Sequence, residues 1–334
     1  MPGFLVVFVS AILFFLCSRR LAAVANLFCA IGILFIGLCS PSFSVMLIWL
    51  FIFSTGQHLF LPTNQSIGME LAHEGKAGQR LGQFSGIANI SAIIGSFAIF
   101  IGFKFFNLNF KISYIVAFLG FLTVSILIFL MQKDQPSPAK TKFQLKKEYR
   151  LYYWLNIVYG TRKQLFLTFA PWVLVTIFKQ KTQVVATLLV IGGVIGIFFK
   201  PMLGKAIDKL GERFILTAEG VILIFVCLGY GYSRDFFSET TAMMIAFCCY
   251  IIDQLLMSVS MARATYLKKI ALRPEDVHQT LTMGVTIDHA FSISIALLGG
   301  FLWLKLGYQY VFLLGAFIAV LNAVSALMIK TKQA

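Results

Sequence analysis

Four charged residues lie inside long apolar stretches, where a charge is expensive in lipid and needs a partner or a water-filled cavity. Arg162 and Lys163 are adjacent in the stretch YGTRKQLFLTFAPW, and Asp253 and Asp288 interrupt two later apolar stretches. All four belong to the second half of the chain, so they can converge on one polar centre. Two chemistries are open to such a centre: a fixed buried ion pair, or a site that binds a solute or exchanges a proton.

Polar side chains flank these charges and widen the set of candidates. His289 follows Asp288, and its imidazole is able to titrate near neutral pH. Neutral groups in the first half, such as Gln57 and Asn89, are more typical of hydrogen bonds between helices than of a binding site. The candidates for binding a substrate or a proton are Tyr159, Arg162, Lys163, Gln164, Asp253, Gln254, Asp288, His289, Gln57 and His58.

The composition indicates which elements position these residues. Of the 334 residues, 59% are hydrophobic and 12% are charged, about half the charged share of a typical soluble domain. Lipid must therefore surround most of the chain, and helices are the form in which a segment satisfies its own backbone there. Eleven helical spans are predicted, roughly at 3–17, 21–39, 44–68, 80–103, 112–131, 151–178, 182–200, 214–233, 240–262, 281–303 and 307–329.

The run 132–150 is the long polar and basic break in this pattern, and Pro136 and Pro138 forbid regular helix at its start. We interpret it as a basic cytoplasmic linker between an incomplete bundle of about five helices at 1–131 and a bundle of six helices at 151–334. The halves also echo each other at an offset of 200, where Gln79 matches Gln279. Parallel repeats of this kind are known in transporters.

The basic residues predict the orientation of the spans. If the connections alternate between the two sides, one side collects the linker and most other basic residues, which the positive-inside rule makes cytoplasmic. The C-terminus is then cytoplasmic and the N-terminus outside. The opposite side receives only Lys104, Lys111, Lys179, Lys181, Arg234 and Lys305.

A motif of glycines and charges follows the seventh predicted span, at Gly204, Asp208, Gly211 and Arg213. Glycine permits close approach of helices and tight turns, and Asp208 can cap a neighbouring helix N-terminus or pair with a basic residue. Here the sequence resembles the major facilitator superfamily, whose signature loop has this pattern. The resemblance implies an all-α polytopic membrane protein with a two-bundle transporter fold and a gating role for these four residues. The apolar stretches give this fold about 11 transmembrane helices (5 + 6).

The first half departs from the family pattern. The family carries a stronger copy of the motif between its second and third helices, whereas the corresponding turn here is only Cys17, Ser18, Arg19 and Arg20. On this mapping the first transmembrane helix is missing. A wrong start site, a gene fragment and a real short protein all predict such a sequence.

The expected function follows from the resemblance and from the absence of catalytic motifs. The sequence contains no Walker-type glycine loop, serine elbow or zinc-protease helix, and its six cysteines show no metal-ligand spacing. We expect that the protein is not an enzyme and that it binds no cofactor or metal. The leading hypothesis is a monomeric secondary transporter of a small-molecule substrate in a bacterial plasma membrane, in contact with the lipid bilayer and not with nucleic acid, with proton coupling left open. The alternative is a non-transporting membrane sensor or a truncated remnant.

Overall fold

The computed structural model describes residues 16–132 and 145–330, and the regular elements within these ranges are all helical. The long apolar stretches form the helices because each segment satisfies its own backbone hydrogen bonds. The elements are α1 Ser18–Leu38, α2 Phe43–Glu70, α3 Ala77–Phe105, α4 Phe110–Leu130, a 3-10 turn Lys147–Tyr149, α5 Arg150–Thr176, α6 Thr182–Leu210, α7 Glu212–Phe236, α8 Glu239–Leu256, a 3-10 turn Met257–Val259, α9 Ser260–Ile270, α10 Pro274–Lys305 and α11 Tyr308–Leu327.

Nine helical segments of the described residues are long and apolar enough to cross a membrane, counting Glu239–Ile270 as one segment. α5 falls outside that set and carries Arg162 and Lys163 within its 27 residues. Each of the ten spans predicted from residue 21 onwards overlaps a helix. The predicted span at 3–17 and most of the basic linker lie outside the described residues.

Two predicted boundaries are wrong. The span predicted at 182–200 continues as α6 to Leu210, so Gly204 and Asp208 are helical and do not lie in a loop. The span predicted at 240–262 is interrupted by the 3-10 turn Met257–Val259 and then continues to Ile270. Apolar content underestimates both helices because lysine, arginine and alanine are good helix formers beyond the apolar window.

The chain divides into two compact units that do not follow the order of the chain. The first unit comprises 1–71, 94–146 and 271–286, and the second comprises 72–93, 147–270 and 287–334. α3 and α10 each contribute to both units. The division into two bundles at the linker stays a prediction.

In the first unit, α1 packs against α2 and α4. The small residues Ala22 and Ala25 are fully buried, and the hydroxyl of Ser125 on α4 donates to the carbonyl of Ala23 at 2.8 Å. Arg19 fixes one end of this packing, since its guanidinium contacts the carboxylate of Glu70 at 2.5 Å. Small side chains thus let these helices approach closely, as is usual between helices in membranes.

In the second unit, α7 packs against α11 and α8, and α5 packs against α11. Tyr230 of α7 stacks on Phe312 of α11 with ring centroids 4.8 Å apart, and both side chains are buried. This aromatic and aliphatic core surrounds the part of α5 that carries the charged residues. The second unit therefore holds most of the predicted site.

Candidate functional site

A buried ion pair joins α5 to α8. The guanidinium of Arg162 donates to the carboxylate of Asp253 at 2.6 Å, and both side chains are at most 3% exposed. Arg162 also lies 3.9 Å from the carboxylate of Glu219 on α7 and 3.3 Å from the sulfur of Met257. Opposite charges at this distance in a dry interior compensate each other's desolvation. Two of the four charged candidates are thus brought together.

A second buried pair adjoins the first. Arg263 of α9 donates to Glu219 at 3.2 Å, and the side-chain amide of Asn322 on α11 donates to the same oxygen at 3.3 Å. The two arginines and two carboxylates, Arg162, Arg263, Glu219 and Asp253, therefore form a charge-balanced network across four helices. We call these four residues the buried network.

Tyr159 links the buried network to the rest of the site. Its hydroxyl donates to the carbonyl of Met257 at 3.4 Å, and Arg263 lies over its ring at 3.8 Å from the centroid. The crevice between these groups is too narrow to hold a water molecule; it is lined by Val158, Tyr159, Arg162, Glu219, Leu223, Arg263, Ile318, Ala319 and Asn322. The four side chains of the network are at most 3% exposed, so the network is shielded from bulk water.

The other two charged candidates form a separate and more accessible pair. Lys163 donates to the carboxylate of Asp288 at 2.5 Å, with side chains 20% and 9% exposed. Ser292 donates to the other oxygen of Asp288 at 3.0 Å and can alternatively donate to the carbonyl of Gly160 at the same distance. The ammonium of Lys163 lies 5.4 Å from the centroid of the Tyr159 ring.

Close approach of α10 to α5 depends on Gly160. A Cβ atom at this position would collide with the carboxylate of Asp288, so glycine is what allows the acid to lie beside the α5 backbone. The lysine and the carboxylate can exchange partners or a proton more easily than the buried network can, because the lysine side chain is 20% exposed and those of the network are at most 3% exposed. The Lys163–Asp288 pair thus fits an exchanging role better than the buried network does.

The remaining predicted residues lie on several different helices. Gln164 donates to Thr168 of its own helix at 3.0 Å, and Gln254 lies beside Gly192 of α6. His289 is half-buried next to Asp288. In the first unit, Gln57 is exposed, and the Nδ1 atom of His58 lies 2.7 Å from the carbonyl of Ser54 one turn earlier.

The sequence analysis missed two residues of the buried network, Glu219 and Arg263, and also Asn322, which donates to Glu219. Arg263 was predicted in a connection between two spans, whereas it lies in α9 and is 2% exposed; its place on the cytoplasmic side stays a prediction. Glu219 is 2% exposed although it lies only seven residues after the start of α7 at Glu212. A usable signal was present, since Glu219 is a carboxylate within an otherwise apolar stretch and such a group needs a cation.

The glycine motif forms a contact between α6 and the beginning of α3, within the second unit. The two carboxylate oxygens of Asp208 accept the backbone N–H groups of Gly78 and Gln79, each at 2.7 Å. These are among the first N–H groups of α3, which have no partner inside the helix, and the helix dipole favours a negative charge there. The capping contact predicted for Asp208 is therefore present, and its gating role stays a prediction.

The other residues of the motif have separate structural roles. A Cβ atom at Gly204 would collide with the backbone of Gly78, so glycine sets the closeness of α6 and α3. Gly211 has a φ of +82° between α6 and α7, a conformation that glycine adopts without steric cost. Arg213 is exposed at the start of α7.

Replacing Asp208 by asparagine tests the importance of the cap. We expect the free energy of unfolding to fall by about 1–2 kcal/mol, because an amide accepts through one oxygen and carries no charge toward the helix N-terminus. Thermal unfolding of the purified protein measures the loss, with Lys205→Gln on the exposed face of α6 as control. An unchanged melting temperature would contradict the contact.

No group of three His, Cys, Asp or Glu side chains in the described ranges is arranged to hold a metal ion.

A family model described as Major Facilitator Superfamily matches residues 3–287. An uncharacterised MFS-type transporter from Methanocaldococcus jannaschii is 25% identical over 250 residues, which cover 71% of this chain. The chain spans 60% of the length of that relative.

Two solved structures resemble the fold. The crystal structure of the E. coli fucose:proton symporter FucP matches with a TM-score of 0.75 and 13% identity, over 99% of this chain and 88% of that one. A bacterial homologue of the iron transporter ferroportin matches with a TM-score of 0.67 and 13% identity, over 98% of this chain and 87% of that one. The predicted all-α transporter-type fold is confirmed.

Proposed function

The chain belongs to the Major Facilitator Superfamily, and from this premise we propose that it is a secondary transporter which moves a small solute across a membrane by alternating access. The single observation that carries the proposal is the pairing of Lys163 with Asp288 across α5 and α10. A partly accessible ion pair inside membrane helices is the kind of group that serves transport. The substrate remains to be identified.

The proposal assigns different roles to the two sets of charges. The buried network joins α5, α7, α8 and α9 through contacts of 2.6–3.9 Å, and its burial suits a fixed structural role. The Lys163–Asp288 pair can open when a solute group or a proton replaces one partner. We therefore assign solute or proton exchange to this pair, with Tyr159 beside it.

The cap at Asp208 is proposed as one latch of the alternating cycle. Alternating access requires contacts that form in one state and break in the other. Two charge-assisted hydrogen bonds of 2.7 Å to the start of α3 are strong enough to bias such an equilibrium and weak enough to break. The latch holds one state and is released in the other.

The proposal includes an orientation with the linker and the C-terminus in the cytoplasm. In a chain whose native cysteines are replaced, cysteine substitutions at Lys147, within the linker, and at Lys179 probe the two sides, and both positions are exposed. A membrane-impermeant thiol reagent added to intact cells is expected to label the variant at position 179 and not that at 147. Labelling only at 147 would reverse the orientation.

Uptake into proteoliposomes tests the function itself. Vesicles with the purified full chain are offered radiolabelled sugars, amino acids, carboxylates and phosphate esters, under an imposed proton gradient and without one. We expect uptake of one class above that of protein-free vesicles. A folded protein that moves none of these classes in either condition would contradict the proposal and favour the non-transporting alternative.

A further inference from the structure

Lys200 differs from the other intramembrane basic residues of the second unit in its partner. Arg162, Lys163 and Arg263 each contact a carboxylate. The ammonium of Lys200 instead donates to the neutral side-chain oxygen of Asn89 on α3, at 2.6 Å, and no carboxylate of the described residues lies within ion-pair distance. Its positive charge is therefore stabilised by a hydrogen bond and not neutralised.

The surroundings hold this amine in one direction. The amide nitrogen of Asn89 donates to the carbonyl of Gly193 at 3.0 Å, which leaves its oxygen facing Lys200. Gly193 lies nearly two turns before Lys200 in α6, so the lysine side chain runs back toward the beginning of the helix, as helical side chains tend to do. Lys200 itself lies about 15 Å before the end of α6 at Leu210.

This direction argues against contact with lipid headgroups near the α6–α7 turn. A lysine that only needs solvent extends toward the nearer headgroup layer. That layer is expected at the end of α6 that carries Lys205 and Lys209, next to Arg213 at the start of α7, and Lys200 points away from it. An ionisable residue within a membrane-spanning helix is by default a candidate for a functional site.

We propose that Lys200, positioned by Asn89, is the counter-charge for an oxyanion, a carboxylate or phosphate group, on the transported solute. The inference rests on the proposed transport function and adds the chemical class of the substrate. One of the three ammonium donors is used by Asn89, which leaves two for an oxyanion. Lysine binds such groups as a compact point charge.

Charge-selective labelling beside Lys200 tests this without a known substrate. Gly193→Cys supplies the thiol in a chain whose native cysteines are replaced, because a Cβ atom there meets no other atom within 4 Å. The protein in phosphatidylcholine vesicles is treated with a sulfonate-bearing methanethiosulfonate, which is the oxyanion probe, or with a trimethylammonium-bearing one. The ratio of the two rates, sulfonate over ammonium, reports the local charge.

We expect the ratio to fall at least about fivefold on Lys200→Gln, from the loss of a unit charge at several ångströms. Lys205→Gln, an exposed lysine of the same helix, is expected to leave the ratio unchanged. A ratio that Lys200→Gln does not change would overturn the inference. The experiment is repeated in vesicles that contain phosphatidylglycerol. If this lipid lowers the labelling rate to that of the Lys200→Gln variant, the inference is also overturned, because the anion site would then belong to a lipid headgroup.

The labelling requires no transport, so the two proposals can fail separately. If the ratio depends on Lys200 but no solute is transported, the oxyanion site is supported and the transport proposal is contradicted. If a solute is transported but the ratio does not depend on Lys200, the transport proposal is supported and the anionic substrate class is contradicted.

Discussion

Replacing Arg162 by glutamine is expected to lower the free energy of unfolding by about 3–5 kcal/mol, because it leaves a buried carboxylate without its cation. Arg162 is the only basic partner that the described residues give Asp253. Both side chains are at most 3% exposed, so bulk water does not reach the carboxylate to replace the guanidinium. We expect little folded protein after extraction in detergent.

The double variant distinguishes a lost pair from a general disturbance of α5. Asp253→Asn together with Arg162→Gln removes both charges and is expected to recover at least about 2 kcal/mol. Asp253→Asn alone is expected to be milder than Arg162→Gln, because Arg162 retains Glu219 at 3.9 Å. Arg150→Gln, at an exposed position of the same helix, serves as control. If the loss of unfolding free energy in the double variant equals the sum of the losses in the two single variants, the pairing is contradicted.

Asp288→Asn is expected to reduce transport about 10- to 100-fold while most of the protein still folds. The charged hydrogen bond to Lys163 at 2.5 Å is of a kind worth about 1.5–3 kcal/mol, and an equal loss in the rate-limiting state gives this range. Folding suffers less than at Arg162 because the lysine side chain is 20% exposed and water can solvate it. Uptake per folded protein, normalised by size-exclusion chromatography, measures the effect.

The companion variants separate a structural pair from an exchanging one. If the pair only holds α5 to α10, Lys163→Gln with Asp288→Asn restores both folding and transport. If the pair exchanges a solute group or a proton, the double variant restores folding and leaves transport low, because the exchanging groups are gone. Lys305→Gln, an exposed change on the same helix as Asp288, is expected to retain full uptake. Restored transport in the double variant would contradict an exchanging role.

The charged residues of the site were predictable because their cost in lipid marks them in the sequence. Arg162, Lys163, Asp253 and Asp288 all belong to close ion pairs in the second unit. Which residues pair was not predictable, since the partners are 91 and 125 residues apart in the chain. Only the packing of α5 against α8 and α10 selects them.

Charges near the ends of apolar stretches were harder to interpret. Arg263 and Lys200 were assigned to connections because the apolar pattern ends beside them, yet both lie within helices. A basic residue at such a position is equally compatible with a flanking anchor and with an interior partner. The contact with Glu219 in one case and with Asn89 in the other resolves the ambiguity.

Counterflow is the measurement that tests alternating access most directly. Proteoliposomes are loaded with the unlabelled form of the solute found in the uptake screen and diluted into a trace of its labelled form. A carrier that exposes one site to each side in turn is expected to accumulate the label transiently above equilibrium, and the Asp288→Asn variant is expected to show a strongly reduced overshoot. Entry of label that rises only to equilibrium, whatever the vesicles contain, would contradict a carrier.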